Sequence, residues 1–225
     1  KLYLNLYINK IRLQVQREMW LGIDLGTTNS VAYRIPGDVV TGPMGETLVP
    51  SVVSVGPSEI LCGAMATNTD PRRTFFGFKR TIGRQFKDKQ LWKSAVVWPF
   101  PVVAPQNVEE EPLYPATLGG ESLFLTPRDL YVHLIRYMLK DVNLTQLEGA
   151  VITVPAHFDT VQRNATQDAA KRAGLENVFI INEPTAAAVS FLHENQNIKG
   201  RILVVDVGGG TVDCTALEVT NGEGK

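Results

Sequence analysis

Two short stretches of this sequence end an apolar strand with a carboxylate and follow it with a glycine-rich turn. Residues 22–30 read GIDLGTTNS, and residues 204–213 read VVDVGGGTVD. Glycine lets the backbone approach a ligand closely, and successive N–H groups beside threonine hydroxyls bind anions such as phosphate. The aspartates, Asp24 and Asp206, would repel phosphate, so a cation is implied between them. Carboxylates are natural partners for hydrated Mg²⁺.

The two turns are more informative together than either is alone. A single glycine-rich turn between strands is usually no more than a tight turn. Neither stretch fits the P-loop pattern or the dinucleotide-binding fingerprint. Two turns of one design in the same chain predict instead a clamp that holds a metal and nucleotide phosphates between them.

Composition narrows the class of protein. The chain has 225 residues, a formal net charge of −1 and 44% hydrophobic residues, which is typical of a globular protein. The balanced charge gives no support for nucleic-acid binding, and no apolar run reaches the length of roughly 18 residues needed for a membrane span. The two cysteines, Cys62 and Cys214, favour a reducing compartment, the cytoplasm or an organelle interior. We expect Cys214, among apolar strand residues, to be buried.

Strand-like and helix-like patterns alternate along the chain, as in α/β proteins. The first turn is predicted to join two strands in a hairpin, and residues 48–55 form a third strand candidate. Continuously apolar runs at 149–155 and 177–182 predict buried strands. Residues 201–219 form a second strand–turn–strand unit.

Helix-start signals are clear in the second half of the chain. Thr126 before Pro127 predicts an N-cap with proline in the first turn. Asp159 with Gln162 predicts a capping box, and Gly174 ends the helix that it opens. A third helix is predicted from residue 183.

Five motifs carry a family resemblance. The stretches GIDLGTTNS, KRTIGR, VITVPAHF, INEPTAAA and VVDVGGGTVD resemble the ATPase domain of the DnaK-type, 70-kDa heat-shock chaperones, in that family's order and with similar spacing. The resemblance runs from Met19 to the end and implies an actin-like ATPase (ribonuclease H-like) lobe, a mixed sheet with flanking helices. Sugar kinases and filament-forming actins share the paired turns, but KRTIGR and INEPTAAA favour the chaperones.

The resemblance implies a role for each position of the site. The phosphate loops would be Gly26, Thr27, Thr28 and Asn29, and Gly208, Gly209, Gly210 and Thr211. Mg²⁺, with K⁺ as a further candidate, would be held by Asp24, Asp206 and Asp213. The catalytic residues would be Lys79, Glu183 and Asp206. Pro155 and Arg163 would pass the nucleotide state to a substrate domain.

The resemblance also divides the chain. Residues 19–196 would form the first lobe, with a peripheral subdomain inserted at 54–123, and residues 197–225 would begin a second lobe that is incomplete. For residues 1–18 three interpretations compete: a leader of no catalytic role, a targeting presequence, and an added edge strand. We favour the leader, with Met19 as a natural start.

These features predict the N-terminal segment of an ATP-binding and ATP-hydrolysing chaperone that assists folding under stress. Its partners would be ATP or ADP, unfolded polypeptides, a J-domain protein and a nucleotide exchange factor. The alternative is a non-catalytic structural or interaction subunit, because most of the second lobe is not in the sequence. Two departures put ordinary interdomain coupling in doubt: His157 stands where tyrosine is usual, and Phe179 stands where bacterial members carry arginine.

Overall fold

The computed structural model describes residues 19–89, 91–92, 98–195, 197–209, 212–220 and 223–224 of the chain. The stretch 1–18 and two predicted phosphate-loop residues, Gly210 and Thr211, lie outside this description. The described part is an α/β structure with a mixed six-stranded sheet and flanking helices. The predicted fold class is therefore confirmed.

The strands, numbered in chain order, are β1 (Met19–Leu25), β2 (Asn29–Ile35), β3 (Val39–Val40), β4 (Val49–Pro50), β5 (Val52–Val55), β6 (Ile60–Cys62), β7 (Thr74–Phe76), β8 (Tyr114–Leu118), β9 (Glu121–Leu125), β10 (Leu147–Val154), β11 (Val178–Asn182), β12 (Gly200–Val207), β13 (Val212–Thr220) and β14 (Glu223–Gly224). The helices are α1 (Pro127–Met138), α2 (Thr160–Ala173) and α3 (Glu183–Glu194). Short 3₁₀ turns cover Gly63–Ala66, Pro71–Arg73, Phe78–Arg80 and Leu144–Gln146.

The main sheet has the order β11-β10-β1-β2-β3, with β4 also paired to β2. β1, β10 and β11 are parallel, whereas β1 and β2 form the predicted antiparallel hairpin around the first turn. Because parallel strands end at the same edge of a sheet, Asp24 at the end of β1 lies beside Thr153 at the end of β10. This edge is where the candidate site forms.

The predicted helix starts are all found. Thr126 and Asp129 form a capping box at α1, with Pro127 in the first turn, and Asp159 with Gln162 forms another at α2. Each capping box satisfies two backbone N–H groups that the helix itself leaves unpaired. α2 ends at Gly174, whose φ of +114° is accessible to glycine at little cost.

One hydrophobic core joins the sheet to α1 and α2. Leu21, Ile23 and Leu25 of β1 point into it because alternate strand residues share a face. α1 contributes one apolar face, on which Leu130, Leu134 and Met138 recur at the helical period and are buried. The core therefore fixes β1, which leads to the first turn, and its parallel neighbour β10.

Three local predictions are corrected. The third strand candidate is divided at Ser51 into β4 and β5, which belong to different sheets. β11 is not buried on both faces: Phe179 is 56% exposed because β11 lies at the edge of the sheet. Cys214 is exposed, since strand alternation places it on the same open face as Leu203 and Val205.

The hairpin of β12 and β13, extended by β14, forms a separate three-stranded sheet. One face of the hairpin packs on α3. The other face exposes Leu203, Val205, Val207 and Val212, each more than half accessible. Within the described part of the chain, no helix is long and apolar enough to cross a bilayer.

Candidate nucleotide and metal site

The first turn is held rigidly by its surroundings. A Cβ on Gly26 would lie 2.0 Å from the backbone oxygen of Asn29, so only glycine fits without a backbone shift. The Ser51 hydroxyl donates to the Gly26 carbonyl at 2.8 Å, and the Ser51 N–H donates to the Thr28 carbonyl at 2.8 Å. These two hydrogen bonds explain why the third strand is divided at Ser51, because they tie this residue to the first turn.

Asp24 projects from the end of β1 toward the cleft. Its Oδ1 accepts a hydrogen bond of 2.9 Å from the Thr153 hydroxyl, contributed by the neighbouring strand β10. The side chain stays exposed, so one carboxylate face remains open to a ligand. Asn29 begins β2, where it is exposed and paired with Pro50 through the backbone.

A buried ion pair lies behind the turn. The Nζ of Lys79 donates to Oε1 of Glu183 at 2.5 Å, with the two side chains only 9% and 13% exposed. Lys79 lies in a 3₁₀ turn that follows Gly77, whose φ is +68°. Glu183 is the first residue of α3, after Asn182 and before Pro184. The lysine is therefore not the solvated surface charge that its basic neighbourhood would suggest.

The surroundings of Glu183 shift the pKa of its carboxyl group. Burial raises the pKa of the Glu183 carboxyl, Lys79 opposes that shift, and the charges of Asp24 and Asp206 raise the pKa further. A raised pKa makes a carboxylate a stronger base. The site thus holds a base beside a fixed ammonium group.

The second turn meets the first across a cleft. A Cβ on Gly209 would lie 2.0 Å from Oγ1 of Thr28, and an Nη of Arg80 reaches the Gly209 carbonyl at 3.5 Å. Gly208 precedes Gly209, while Gly210 and Thr211 lie outside the described residues. The two turns predicted to act together are in contact.

A cavity of about 320 Å³ opens between the turns and α3. Three of the predicted residues, Asp24, Glu183 and Asp206, line it together with Thr153. The carboxylates come from β1, α3 and β12, which are far apart in sequence. Such a concentration of negative charge suits a cation.

Asp213 adds a fourth carboxylate near this cavity. It lies directly opposite Asp206 in the β12–β13 ladder, and like charges in that relation are unfavourable without compensation. Its Oδ1 lies 3.3 Å from Nδ1 of His157, whereas its buried Oδ2 has no hydrogen-bond partner among the described residues. A buried carboxylate oxygen normally accepts a hydrogen bond, and a nearby cation would explain why this oxygen has no donor.

The side chains fit Mg²⁺ held through water. Oxygen donors are what this ion prefers, and it keeps several of its own water molecules. Within the part of the chain that the structure describes, no three acidic, histidine or cysteine side chains are grouped closely enough to hold a metal ion.

Pro155 begins the turn that follows β10, and Arg163 lies in the first turn of α2. Pro155 is buried after β10, and Arg163 donates to the carbonyls of Phe158 and Ala156 at 2.9 and 3.3 Å. Arg163 also donates to Oδ1 of Asn182 at 2.7 Å. Because Asn182 immediately precedes Glu183, the turn between β10 and α2 is tied directly to the start of α3.

Comparison with known proteins decides the family. A model of the family described as Hsp70 protein matches residues 20–225. The chain belongs to the Hsp70 family. Its mixed sheet with flanking helices is consistent with the actin-like ATPase lobe of that family.

Curated relatives agree with this membership. The chain is 37% identical over 212 residues to ribosome-associated molecular chaperones from Zygosaccharomyces rouxii, Eremothecium gossypii and Saccharomyces cerevisiae. The alignments cover 90% of this chain but 34% of each relative. This Hsp70-family chain therefore spans about a third of the length of the curated relatives it matches.

Sequence reasoning missed several contributors to the Hsp70-type site. Ser51 and Thr153 support the first turn and Asp24, and Arg80 reaches the second turn. Each is a polar residue beside a strand end or a recognised motif, but only the three-dimensional pairing shows what it contacts. His157 was identified only as a departure from the family pattern, whereas the structure places it against Asp213.

Proposed function

We propose that this chain is the N-terminal, nucleotide-binding part of an ATP-hydrolysing Hsp70-type chaperone. The observation that supports this most strongly is the buried Lys79–Glu183 pair beside the cavity that Asp24 and Asp206 line. A buried ion pair costs desolvation free energy and is weak evidence for stability alone. Because this pair lies beside the cleft where the two glycine-rich turns meet, a catalytic role explains its burial better than a role in stability does.

The proposed reaction converts ATP and water into ADP and phosphate. Phosphoryl transfer depends mainly on positioning and electrostatic stabilisation, so it needs few side chains. Backbone N–H groups of the turns at 26–29 and 208–211 would bind the phosphates. A bound Mg²⁺ would supply neutralisation of the phosphate charge, and Asp24, Asp206 and Asp213 would orient the water around it.

Lys79 and Glu183 would act on the attacking water and the γ-phosphate. The Lys79 ammonium, fixed by Glu183, would stabilise negative charge on the γ-phosphate. Glu183 is suited to accept a proton from the attacking water because its pKa is raised. Loss of ATP would leave Glu183 free to shift with α3, and the Arg163–Asn182 hydrogen bond would transmit that shift toward Pro155.

In the whole protein, this nucleotide cycle would control the binding of unfolded polypeptides. A J-domain protein and a nucleotide exchange factor would be its co-chaperones. Exposed Phe179, at the position where bacterial members carry arginine, would alter contact with the first of these. Both cysteines are free, which supports a reducing location such as the cytoplasm.

Calorimetric titration of the 225-residue chain with Mg·ATP tests the proposal. We expect saturable binding that Asp206→Asn weakens by at least about tenfold, because a charge facing the ion is lost. Asp141→Asn, at an exposed position after α1, is the matched control and should leave binding unchanged. Phosphate release in a single turnover would then establish hydrolysis. Absence of binding at millimolar nucleotide would favour the structural-subunit alternative.

A further inference from the structure

A histidine side chain connects the turn after β10 to the β12–β13 hairpin. Nδ1 of His157 lies 3.3 Å from Oδ1 of Asp213, which belongs to β13. β10 and β13 belong to different sheets, and 56 residues separate the two side chains in sequence. The proposed reaction gives Asp213 a place beside the ion but gives His157 no role, so this contact needs its own explanation.

The chemistry of the two groups fixes the direction of this hydrogen bond. An ionised carboxylate can only accept, whereas a neutral imidazole carries a proton on one nitrogen and a charged imidazole carries one on each. Nδ1 of His157 must therefore hold a proton to bond to Asp213, whichever charge the ring carries. The contact depends on a donor at Nδ1 and does not depend on a positive charge.

The Asp213 carboxylate lies where a hydrogen-bond donor is needed. Asp213 is directly opposite Asp206 in the ladder, so the two carboxylates share one side of the hairpin and repel each other. Asp206 lines the cavity of about 320 Å³, and the Asp213 side chain is only 16% exposed. Oδ2 of Asp213 has no partner among the described residues, within which His157 is the one donor to this carboxylate.

The turn that carries His157 is restrained on both sides. Arg163 donates to the carbonyls of Ala156 and Phe158, the residues that flank the histidine, and the Phe158 N–H donates to the Pro155 carbonyl at 3.1 Å. The Phe158 side chain is buried, and the His157 ring meets it edge-on with 5.7 Å between the ring centroids. Because its own backbone and ring are restrained, His157 can hold a second side chain in one orientation.

We propose that His157 is a positioning residue for a divalent cation that binds beside Asp206 and Asp213. Its Nδ1–H holds Oδ1 of Asp213, offsets the repulsion from Asp206 and leaves Oδ2 for the water shell of the cation. His157 acts through Asp213 and touches neither the ion nor the nucleotide. The identity of the ion as Mg²⁺ rests on the proposed function, whereas the contact between His157 and Asp213 does not.

Binding of Mn²⁺ alone to the full 225-residue chain, followed by electron paramagnetic resonance, tests the proposal. Mn²⁺ prefers the same oxygen ligands as Mg²⁺. His157→Phe keeps a ring against Phe158 but removes the donor, and the affinity should fall at least about tenfold, as when outer-shell partners of metal ligands are removed. His157→Asn, whose amide nitrogen can replace Nδ1 as the donor, should bring the affinity back to within about twofold. His193→Phe, at an exposed position in α3, is the matched control and should leave the affinity unchanged.

Three results of this titration would overturn the proposal. The first is equal affinity in His157→Phe and the unaltered chain, and the second is no binding of Mn²⁺ by the unaltered chain. The third is tighter binding by His157→Phe, which would mean that the histidine competes with the cation for Asp213. Failure of the proposed ATPase function is a different result, the absence of Mg·ATP binding, because the titration with Mn²⁺ contains no nucleotide.

Nuclear magnetic resonance of the histidine rings tests the contact without any metal. Long-range ¹⁵N–¹H correlation spectra of the full chain show which nitrogen of a neutral imidazole carries the proton. We expect the Nδ1–H tautomer at His157, and a shift toward Nε2–H in Asp213→Ala because the Nδ1 proton loses its acceptor. His133 and His193 serve as internal controls and should not respond to Asp213→Ala. An Nε2–H tautomer at His157 in the unaltered chain, or no response of His157 to Asp213→Ala, would overturn the proposal.

Discussion

The Nζ of Lys79 lies 2.5 Å from Oε1 of Glu183, although 104 residues separate them in the chain. Both side chains are nearly buried. Exposed ion pairs contribute little to stability, but removal of one partner from a buried pair leaves an uncompensated charge. Stability and the proposed catalysis would therefore depend on this pair in different ways, and the two effects can be measured separately.

Lys79→Met should lower the free energy of unfolding by about 3 kcal/mol, because Glu183 is left buried without its partner. It should also slow the proposed ATP hydrolysis by at least about a hundredfold, since the group proposed to stabilise charge on the γ-phosphate is lost. The double variant Lys79→Met, Glu183→Gln should regain much of the stability but none of the hydrolysis. Urea unfolding and single-turnover phosphate release measure the two effects.

Lys87→Met is the matched control for this series. Lys87 also forms an ion pair, with Glu109, but the two side chains are about half exposed. We expect a change in the free energy of unfolding below about 1 kcal/mol and unchanged hydrolysis. A hydrolysis defect in Lys87→Met as large as that in Lys79→Met would argue against a specific role for Lys79.

Local sequence patterns predicted the parts of the fold whose causes are local. The capping boxes of α1 and α2 form between residues three apart, so the sequence contains both partners within one turn. The first glycine-rich turn is likewise specified by a steric demand within a few residues, because a Cβ on Gly26 would meet the Asn29 backbone. The shared design of the two turns then indicated that they belong to one site.

Features that depend on distant partners were not predictable in the same way. Ser51 divides a strand because it bonds to a turn 25 residues earlier, which no period in the sequence reveals. Cys214 and Phe179 lie in apolar runs, yet both are exposed, because burial depends on which element covers a face or an edge.

Gly26→Ala should disrupt nucleotide binding while leaving the core folded. The added Cβ would meet the Asn29 backbone oxygen at 2.0 Å, so the turn must shift. We expect Mg·ATP affinity to fall by at least about tenfold, a loss that corresponds to about 1.4 kcal/mol. Gly22→Ala, four residues earlier in β1, is the control because nothing lies within 4 Å of its added Cβ. Equal losses in both variants would show that the turn is not the sensitive element.

Ser51→Ala should destabilise the first turn from behind. The Ser51 hydroxyl donates to the Gly26 carbonyl, so the 2.8 Å contact between Ser30 and Ser51 must use the Ser30 proton. The substitution leaves the Gly26 carbonyl and the Ser30 hydroxyl without these partners in a buried place. We expect a loss of about 1–3 kcal/mol in chemical unfolding. Ser58→Ala, in an exposed loop, should change stability by less than about 0.5 kcal/mol.

Asp129 should make stability depend on pH in the acidic range. Burial alone would raise the pKa of its carboxyl, but hydrogen bonds from Thr126 and the charge of Arg172 outweigh burial and hold the pKa below its ordinary value. The folded protein therefore binds this proton more weakly than the unfolded chain does. The contribution of Asp129 to stability is present above the unfolded pKa of about 3.9 and is lost as the pH falls through the folded pKa.

Asp129→Asn tests that linkage. The substitution should cost about 1 kcal/mol at pH 7, because the capping box and the Arg172 pair lose a charged acceptor. The difference from the unaltered protein should shrink as the pH is lowered below about 4, since the aspartate is then increasingly protonated. Urea midpoints from pH 7 to pH 3 measure the slope, with Asp141→Asn as an exposed control. A difference that stays constant over this range would mean that Asp129 stabilises α1 through hydrogen-bond geometry and not through its charge.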